Sequence, residues 1–336
     1  MVAPPWYDIP PDGYGGIEQM VADLVQTLLH RGNEVTLIGG GDTQLDVDYL
    51  RTFDKAPTER IGEPGPEVQH AAMAANLLRD LDVDVVHEHT LAGPLTAAGR
   101  EVPTVLTAHG PVNGELGDLY AALGKTVGLV AISEAQRGFR PELNWVGTVH
   151  NAIDVADFPY RADKQDYVLF LGRMNPEKGV HQAIDVATAA NRRLVIAAKC
   201  NEPAEHEYFE EFVEPRLGPG AEYIGEADGA RKRDLLRGAR CLLLPLQWDE
   251  PFGLVMVEAL ACGTPVVALR RGSVPEIVID GVTGFIRDDL EDLAAALADV
   301  DDLDPAECRR DAERRFDLPV MTERYEQVYR QVAGAH

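Results

Sequence analysis

Two glutamates eight positions apart, Glu250 and Glu258, bracket a Pro-Phe-Gly turn in the stretch Asp249–Pro265. Pro251 and Gly253 punctuate its start, an apolar run from Leu254 follows, and Gly263-Thr264-Pro265 ends it ahead of Val266-Val267-Ala268. The pattern is that of a helix leading into a strand. With a rise of ~1.5 Å per residue, the two carboxylates stand about 12 Å apart along the axis. They are too far apart to share a proton and well spaced to grip two ends of one elongated ligand. Between them, backbone N–H groups near Phe252, Gly253 and Leu254 point out of the helix start, where an anion is favoured.

A second stretch adds cations. Gly172-Arg173-Met174-Asn175-Pro176-Glu177-Lys178-Gly179 puts an arginine and a lysine in a turn between an apolar run and a helical one. A diphosphate there would meet a two-pronged guanidinium, a point-charge ammonium and a helix N-terminus. Taken alone, the octet reads equally as a surface turn with two solvated cations. Gly15-Gly16 ends another loop before a helix, either for close backbone approach to a ligand or as a flexible turn. His109 follows Thr104–Ala108, at the carboxyl end of an expected parallel strand, where such sheets bind ligands. It is suited to hydrogen-bonding a sugar hydroxyl or moving a proton, and equally to capping a loop.

His87-Glu88-His89 spells a metal pair but has no third ligand placed for it, so ordinary strand-end residues are the preferred reading. Asp46-Val47-Asp48 and Asp82-Val83-Asp84 lie before or outside apolar strands, so metal-bound phosphate is not read there either. No metal is expected, and no residue stands out as a strong nucleophile.

The elements that must position these groups alternate along the chain. Met1-Val2-Ala3 reads as the end of a strand, and Pro4–Gly16 as a Pro/Gly loop. Apolar residues at Ile17, Met20, Val21, Leu24, Val25, Leu28 and Leu29 predict a helix to Arg31, stopped by Gly32, with a strand at Glu34–Gly39. This unit is Rossmann-like but lacks GxGxxG, so NAD is not implied. A helix over 67–81 follows, then strands at Asp84–His87, Thr104–Ala108 and Gly128–Ile132, and a short one at Thr148–Asn151. Apolar runs this short suit parallel strands buried on both faces. After a Pro- and Asp-containing linker at Asp154–Asp163 the pattern restarts: strand Tyr167–Leu171, the Gly172–Gly179 loop, helix 180–190, strand Leu194–Ala198. Strand Cys241–Pro245, the Glu250/Glu258 helix, strand 266–269 and a last helix at Val320–Val332 complete it. The economical division is two Rossmann-like domains, 1–157 and 158–318, with a closing segment 319–336.

Composition agrees with 336 residues forming two globular domains, 45% of them hydrophobic. A net charge of −25 argues against nucleic acid. The acidity fits a salty cytoplasm and a GC-rich genome alike. Four cysteines without a CxxC pair make a zinc ribbon or disulfide framework a poor fit, and Cys241 and Cys262 read as small core residues. No apolar run reaches ~20 residues, and the N-terminus lacks the layout of a secretory signal. The cytoplasm is the expected location.

Arg173 with Lys178, Glu250 with Glu258, His109 and Gly15-Gly16 together resemble the retaining GT-B glycosyltransferases of family 4, glycosyl transferases group 1. Asp84-Val85-Val86-His87, Ala131-Ile132-Ser133, His150–Asp154 and Gly263–Val267 match as well, so the resemblance covers nearly the whole chain. It implies an α/β, GT-B architecture, two Rossmann-like domains with parallel sheets facing a central cleft. The second domain would hold a nucleotide sugar, the first would take the acceptor, and the last helix would cross back to the first. By the same resemblance Arg173, Lys178, Gly15, Gly16, Gly253 and Leu254 would hold the donor diphosphate, and Glu258 the ribose. Glu250, Phe252 and His109 would hold the donor sugar, and Ile224 would lie near the base. His109 and Glu250 are the catalytic candidates, Glu250 as an orienting carboxylate. Retention by front-face attack, in which the leaving phosphate takes the acceptor's proton, would need no metal or other cofactor. The chemistry agrees: charge develops on the leaving diphosphate, where Arg, Lys and helix N–H groups stabilise it.

One departure stands out. Family members usually carry several more residues before Val2-Ala3-Pro4, and three residues cannot fill a central strand of typical length. A stunted first strand, or a start assigned too late, is expected, at the expense of folding in the first domain. Residues 1–157 hold 9 Lys/Arg against 23 Asp/Glu. Without a basic patch for an anionic membrane, a soluble small-molecule or saccharide acceptor is expected over a lipid. UDP- and GDP-sugars are the leading donors. The rivals are a non-catalytic nucleotide-sugar-binding protein and a GT-B-like epimerase. A phosphorylase would carry a pyridoxal lysine motif, which is not seen.

Overall fold

The computed structural model describes residues 1–13 and 15–334. Tyr14 of the expected Pro4–Gly16 loop, and Ala335 and His336 of the expected closing segment, lie outside the described residues. The chain forms two compact units, Met1–Ala152 with the segment from Leu318 onward, and Ile153–Asp317.

The first unit runs α1 (Gly16–His30), β1 (Thr36–Gly40), β2 (Asp48–Phe53), α2 (Pro64–Leu78), β3 (Val86–Glu88), β4 (Thr104–Ala108), α3 (Glu115–Leu123), β5 (Gly128–Ala131), α4 (Glu134–Phe139) and β6 (Trp145–Thr148). β1 pairs with β2, and β3-β4-β5-β6 form a second parallel set. Val2 joins the two sets, bridged in parallel to Ile38 and Glu88. Its N–H donates to the His87 carbonyl (2.8 Å) and its carbonyl accepts from His89 (3.0 Å), while Ala3 donates to Ile38 (2.9 Å). The first strand is thus as short as expected, yet central, in the order β2-β1-Val2-β3-β4-β5-β6. A cavity of about 640 Å³ lies at the amino ends of β1 and β3, lined by Met1, Thr36 and Val86 among others. That is the end of the strands opposite to His109.

Both faces of the sheet are covered. Met20, Val21, Leu24, Val25 and Leu28 of α1 pack with Leu37, Val105 and Val130 on one face. Leu106 and Leu129 turn to the other face, against Val112 and Tyr120. The period-two alternation within β4 sends adjacent residues to opposite cores.

The second unit runs β7 (Val168–Arg173), α5 (Val180–Ala189), β8 (Leu194–Lys199), α6 (Pro203–Tyr208), β9 (Ala221–Tyr223), α7 (Gly229–Gly238), β10 (Leu242–Leu244), α8 (Leu254–Ala261), β11 (Val266–Leu269), α9 (Val274–Ile277), β12 (Gly284–Arg287), α10 (Leu290–Ala296) and α11 (Pro305–Phe316). Its six described strands are parallel in the order β12-β11-β10-β7-β8-β9. Strand order reverses between β7 and β10, and in doubly wound sheets the loops after such a pair open the ligand crevice. The Gly172–Gly179 loop and the loop leading to Glu250 both start there.

Four strands differ from expectation, and β9 (Ala221–Tyr223) is one that the apolar pattern does not announce. β6 lies at Trp145–Thr148, not Thr148–Asn151, because the partner of Ala131 is Thr148. β2 and β12 lie at sheet edges; Asp48, Arg51 and Thr52 interrupt β2, and β12 holds only Phe285 and Ile286 between Gly284 and Arg287, so neither shows a long apolar run.

The last helix, α12 (Leu318–Ala333), belongs to the first unit. Met321, Tyr325 and Val328 enter the α1 core. Glu326, 7% exposed, takes both prongs of Arg31 (3.0 Å each), Asn33 Nδ2 (2.9 Å) and Arg330 (2.9 Å). Those hydrogen bonds, from Arg31 foremost and then Asn33, hold its carboxyl down to about 2. A carboxylate pKa depressed by folding stabilises above its unfolded value and loses that contribution as pH falls through the folded one. Glu326→Gln should therefore cost about 1.5–3 kcal/mol at neutral pH, and the gap to wild type should close between about pH 4.5 and pH 2. Denaturant melts across that range check it, and an equal gap throughout would contradict the role assigned to the charge.

Candidate functional site

The loop after β7 is built to turn sharply. Asn175 caps it, its Oδ1 accepting from Lys178 N (3.0 Å), and Pro176 opens a single 3₁₀ turn. Gly179 closes it at φ 75, and a Cβ there would stand 2.1 Å from the Pro245 carbonyl oxygen. Only glycine combines that conformation with that approach. The loop after β10 is drawn against it, and Gln247 N donates to Glu177 O (2.8 Å).

The result brings two sequence candidates together. Lys178 Nζ forms an ion pair with Glu250 Oε2, 21% and 14% exposed respectively. The same ammonium lies 4.6 Å from the Trp248 ring centroid, a cation–π distance. Behind Glu250, the loop after β11 acts as a buttress. Gly272 N donates to Asp249 Oδ1 (2.9 Å), Ser273 N to Glu250 O (2.9 Å) and Ser273 Oγ to Phe252 O (2.6 Å). Gly253, at φ 83, is the N-cap of α8. Leu254 begins that helix. The Phe252 side chain is 2% exposed and meets Phe316 edge-on at 6.1 Å, so only its backbone is placed for a ligand.

Midway along α8, Glu258 accepts from Lys232 Nζ (2.6 Å), a lysine of α7. Arg173 reaches Glu205 (2.9 Å from Nε) and Glu202 (2.8 Å). Burial opposes the Glu205 charge, but the amides of Asn201 and Glu202 and the guanidinium outweigh it and hold Glu205 below the ordinary range. Lys178, Lys232 and Arg173 therefore each face a carboxylate. Ile224 has its amide on Ile196 O (3.0 Å) and its carbonyl on Arg231 (3.0 Å).

In the first unit, Gly15 caps α1 at φ 147, with Pro11 side-chain carbons 2.8 Å from where a Cβ would stand. Around a Cβ on Gly16 nothing lies within 4 Å. Glu18, one turn on, is buried, which pushes its carboxyl up to about 7. His109 Nε2 lies 2.9 Å from His89 Nδ1, and burial pushes His109 down to about 4. His87 is spent on structure: Nδ1 meets Tyr329 OH (2.7 Å) and Nε2 meets Thr107 Oγ1 (2.8 Å).

Sequence reasoning missed Lys232, Trp248, Glu202, Glu205 and the Gly272-Ser273 buttress. Lys232 lies 26 positions before Glu258, and only the packing of α7 beside α8 joins them. Gly272-Ser273, just past the strand at 266–269, was the one readable signal, since loops after strands carry ligands in this sheet type.

The model for glycosyl transferases group 1 matches residues 155–314, and that for glycosyltransferase family 4 matches residues 14–156. The chain is 28% identical to the phosphatidyl-myo-inositol mannosyltransferase of Mycolicibacterium smegmatis, over 100% of this chain and 94% of that protein. AviGT4, a glycosyltransferase involved in avilamycin A biosynthesis, superposes with a TM-score of 0.75 at 29% identity, covering 100% of this chain and 98% of its own. The Anabaena protein Alr3699/HepE, solved with UDP and glucose, shares the fold (TM-score 0.73, 18% identity, 97% of this chain and 98% of its own). Fold and site thus define a GT-B glycosyltransferase, and the chain belongs to family 4 of that class. Among the described residues no helix is long and apolar enough to cross a membrane.

Gly179→Ala tests the close approach of the two loops. It should destabilise the second unit by about 2 kcal/mol or more, from left-handed strain plus the clash with Pro245. A variant melting with the wild type would show that the approach is not required.

Proposed function

We propose that this enzyme moves a sugar from a UDP- or GDP-sugar to a soluble acceptor, with retention of configuration and without a metal ion. One observation carries the reading: Arg173, Lys178, Glu250, Glu258 and the start of α8 all stand around the point where strand order reverses in the second unit. A diphosphate there would draw Lys178 and Arg173 from their carboxylate partners. Lys178 leaving Glu250 would free both Glu250 oxygens for the hydroxyls of the transferred sugar. Glu258, steadied by Lys232, is suited to the ribose hydroxyls, and the N–H groups at Gly253 and Leu254 to a phosphate oxygen. Gly15 and Gly16 are assigned to the diphosphate, His109 to the sugar, and the Ile224 region to the base. The bond from the anomeric carbon to the diphosphate oxygen breaks as the acceptor oxygen bonds on the same face. The acceptor's proton passes to the departing phosphate. Cations fixed before the reaction stabilise the charge where it develops.

UDP is favoured among donors by the Anabaena neighbour, whose structure holds UDP and glucose. The soluble acceptor rests on the 9 Lys/Arg against 23 Asp/Glu of residues 1–157. A lipid acceptor is the second reading, prompted by the name of the mannosyltransferase relative. Strong binding to anionic liposomes would favour it.

Thermal shift against a panel of nucleotide sugars, followed by donor hydrolysis and transfer assays, tests the reading. A stabilising donor that is turned over is expected. No shift with any nucleotide would overturn it, and conversion of the sugar to its epimer with no acceptor present would point to an epimerase. Glu258→Gln should weaken donor binding about tenfold or more. Glu250→Gln should mainly lower kcat, by about a hundredfold. Equal loss of binding in both would contradict the division of labour.

A further inference from the structure

Period-two alternation along β3 puts His87 and His89 on one face, ring centroids 4.0 Å apart, and Glu88 on the other, against Arg100 (3.1 Å) and Thr90 (3.0 Å). His89 sits beside Val2, the innermost strand of the first sheet, where strand order reverses. Its Nδ1 is 2.9 Å from His109 Nε2, and its Nε2 is 3.0 Å from Met1 Sδ. The two imidazoles lie near-parallel, with centroids 5.2 Å apart.

A neutral imidazole has one N–H and one lone pair, and a thioether has no hydrogen to give. The sulfur contact therefore places the His89 proton on Nε2. Its Nδ1 is then a lone pair and accepts from His109 Nε2–H. The His109 proton is thus committed inward, and its Nδ1 is a bare lone pair that makes no hydrogen bond among the described residues. Burial holds both rings below the ordinary histidine range, so both are neutral at physiological pH.

We propose that His89 is a positioning residue that locks His109 in the Nε2–H tautomer, so that His109 presents a substrate with a hydrogen-bond acceptor at Nδ1. This rests on the assignment of His109 to the transferred sugar. His109 then selects for a sugar hydroxyl that donates to it. A deoxy or O-methyl donor at that hydroxyl loses the bond and leaves unmet a lone pair that the bound sugar covers. The other tautomer would turn the His89 lone pair onto the sulfur and make His109 a donor at Nδ1.

Long-range ¹H–¹⁵N NMR of the imidazoles in the full chain decides the tautomer without any assay of activity. The expected spectrum shows His109 unprotonated at Nδ1 and protonated at Nε2, with the same pattern for His89. A protonated Nδ1 on His109 overturns the proposal. His89→Phe removes the acceptor, whereas His89→Asn keeps an amide oxygen in its place. The first should mix the His109 tautomers and lower kcat about tenfold to a hundredfold, with the donor KM within about threefold. The second should restore both the tautomer and most of kcat. A His89→Phe enzyme with mixed tautomers and wild-type kcat would remove His89 from turnover. A wild type that transfers no sugar, yet shows the expected spectrum, would overturn the function assigned above and leave the tautomer standing.

Discussion

The contact between Lys178 and Glu250 organises the second unit's site. Both groups are largely withdrawn from water, and the loops that carry them leave the two strands between which the sheet reverses its order. A partly buried ion pair is stiff in one sense, because removing either partner leaves a charge that the surroundings cannot solvate. It is exchangeable in another, because a different anion can take the place of the carboxylate. Lys232 with Glu258, and Arg173 with Glu205, repeat the arrangement on either side. The cations are thus held in place by protein carboxylates of the same charge type as the phosphate oxygens assigned to them. On the proposed reading, the exchange of carboxylate for phosphate would take place on donor binding, before the step in which charge develops.

The first unit depends on a different economy. Three residues, Met1 to Ala3, supply the central strand, and their backbone hydrogen bonds join β1 to β3. α12 packs against the same unit. Tyr325 and Tyr329 reach Thr107 and His87 through their hydroxyls, at 2.9 and 2.7 Å, and Glu326 ties the helix to Arg31 and Asn33. The His-Glu-His run is spent inside this fold. One histidine anchors the last helix, the glutamate pairs with Arg100, and the other histidine orients His109.

What the sequence disclosed follows from what a parallel sheet demands of it. Buried strands need unbroken apolar runs, so β4, β5, β7, β8, β10 and β11 were legible to within a residue or two. The edge strands β2 and β12 need only one buried face. Asp48–Phe53 and Gly284–Arg287 therefore carry no such run. The glycine loops and the two glutamates were legible because conformation and charge are written in residue type. Their partners were not. Glu205 meets Arg173 across 32 positions, and Trp248 meets Lys178 across 70, because of the loop and helix packing around β7 and β10. No local pattern records that proximity. The pairing of Lys178 with Glu250 joins two residues read separately as a phosphate contact and a sugar contact.

The most direct measurement is calorimetric titration of UDP against UMP, and GDP against GMP, with the wild type and Lys178→Met. If the loop after β7 holds a diphosphate, one of the two diphosphates binds the wild type at least about tenfold tighter than its monophosphate, and that preference collapses in the variant. Equal affinity for diphosphate and monophosphate in the wild type, or a preference that survives loss of Lys178, would contradict the account.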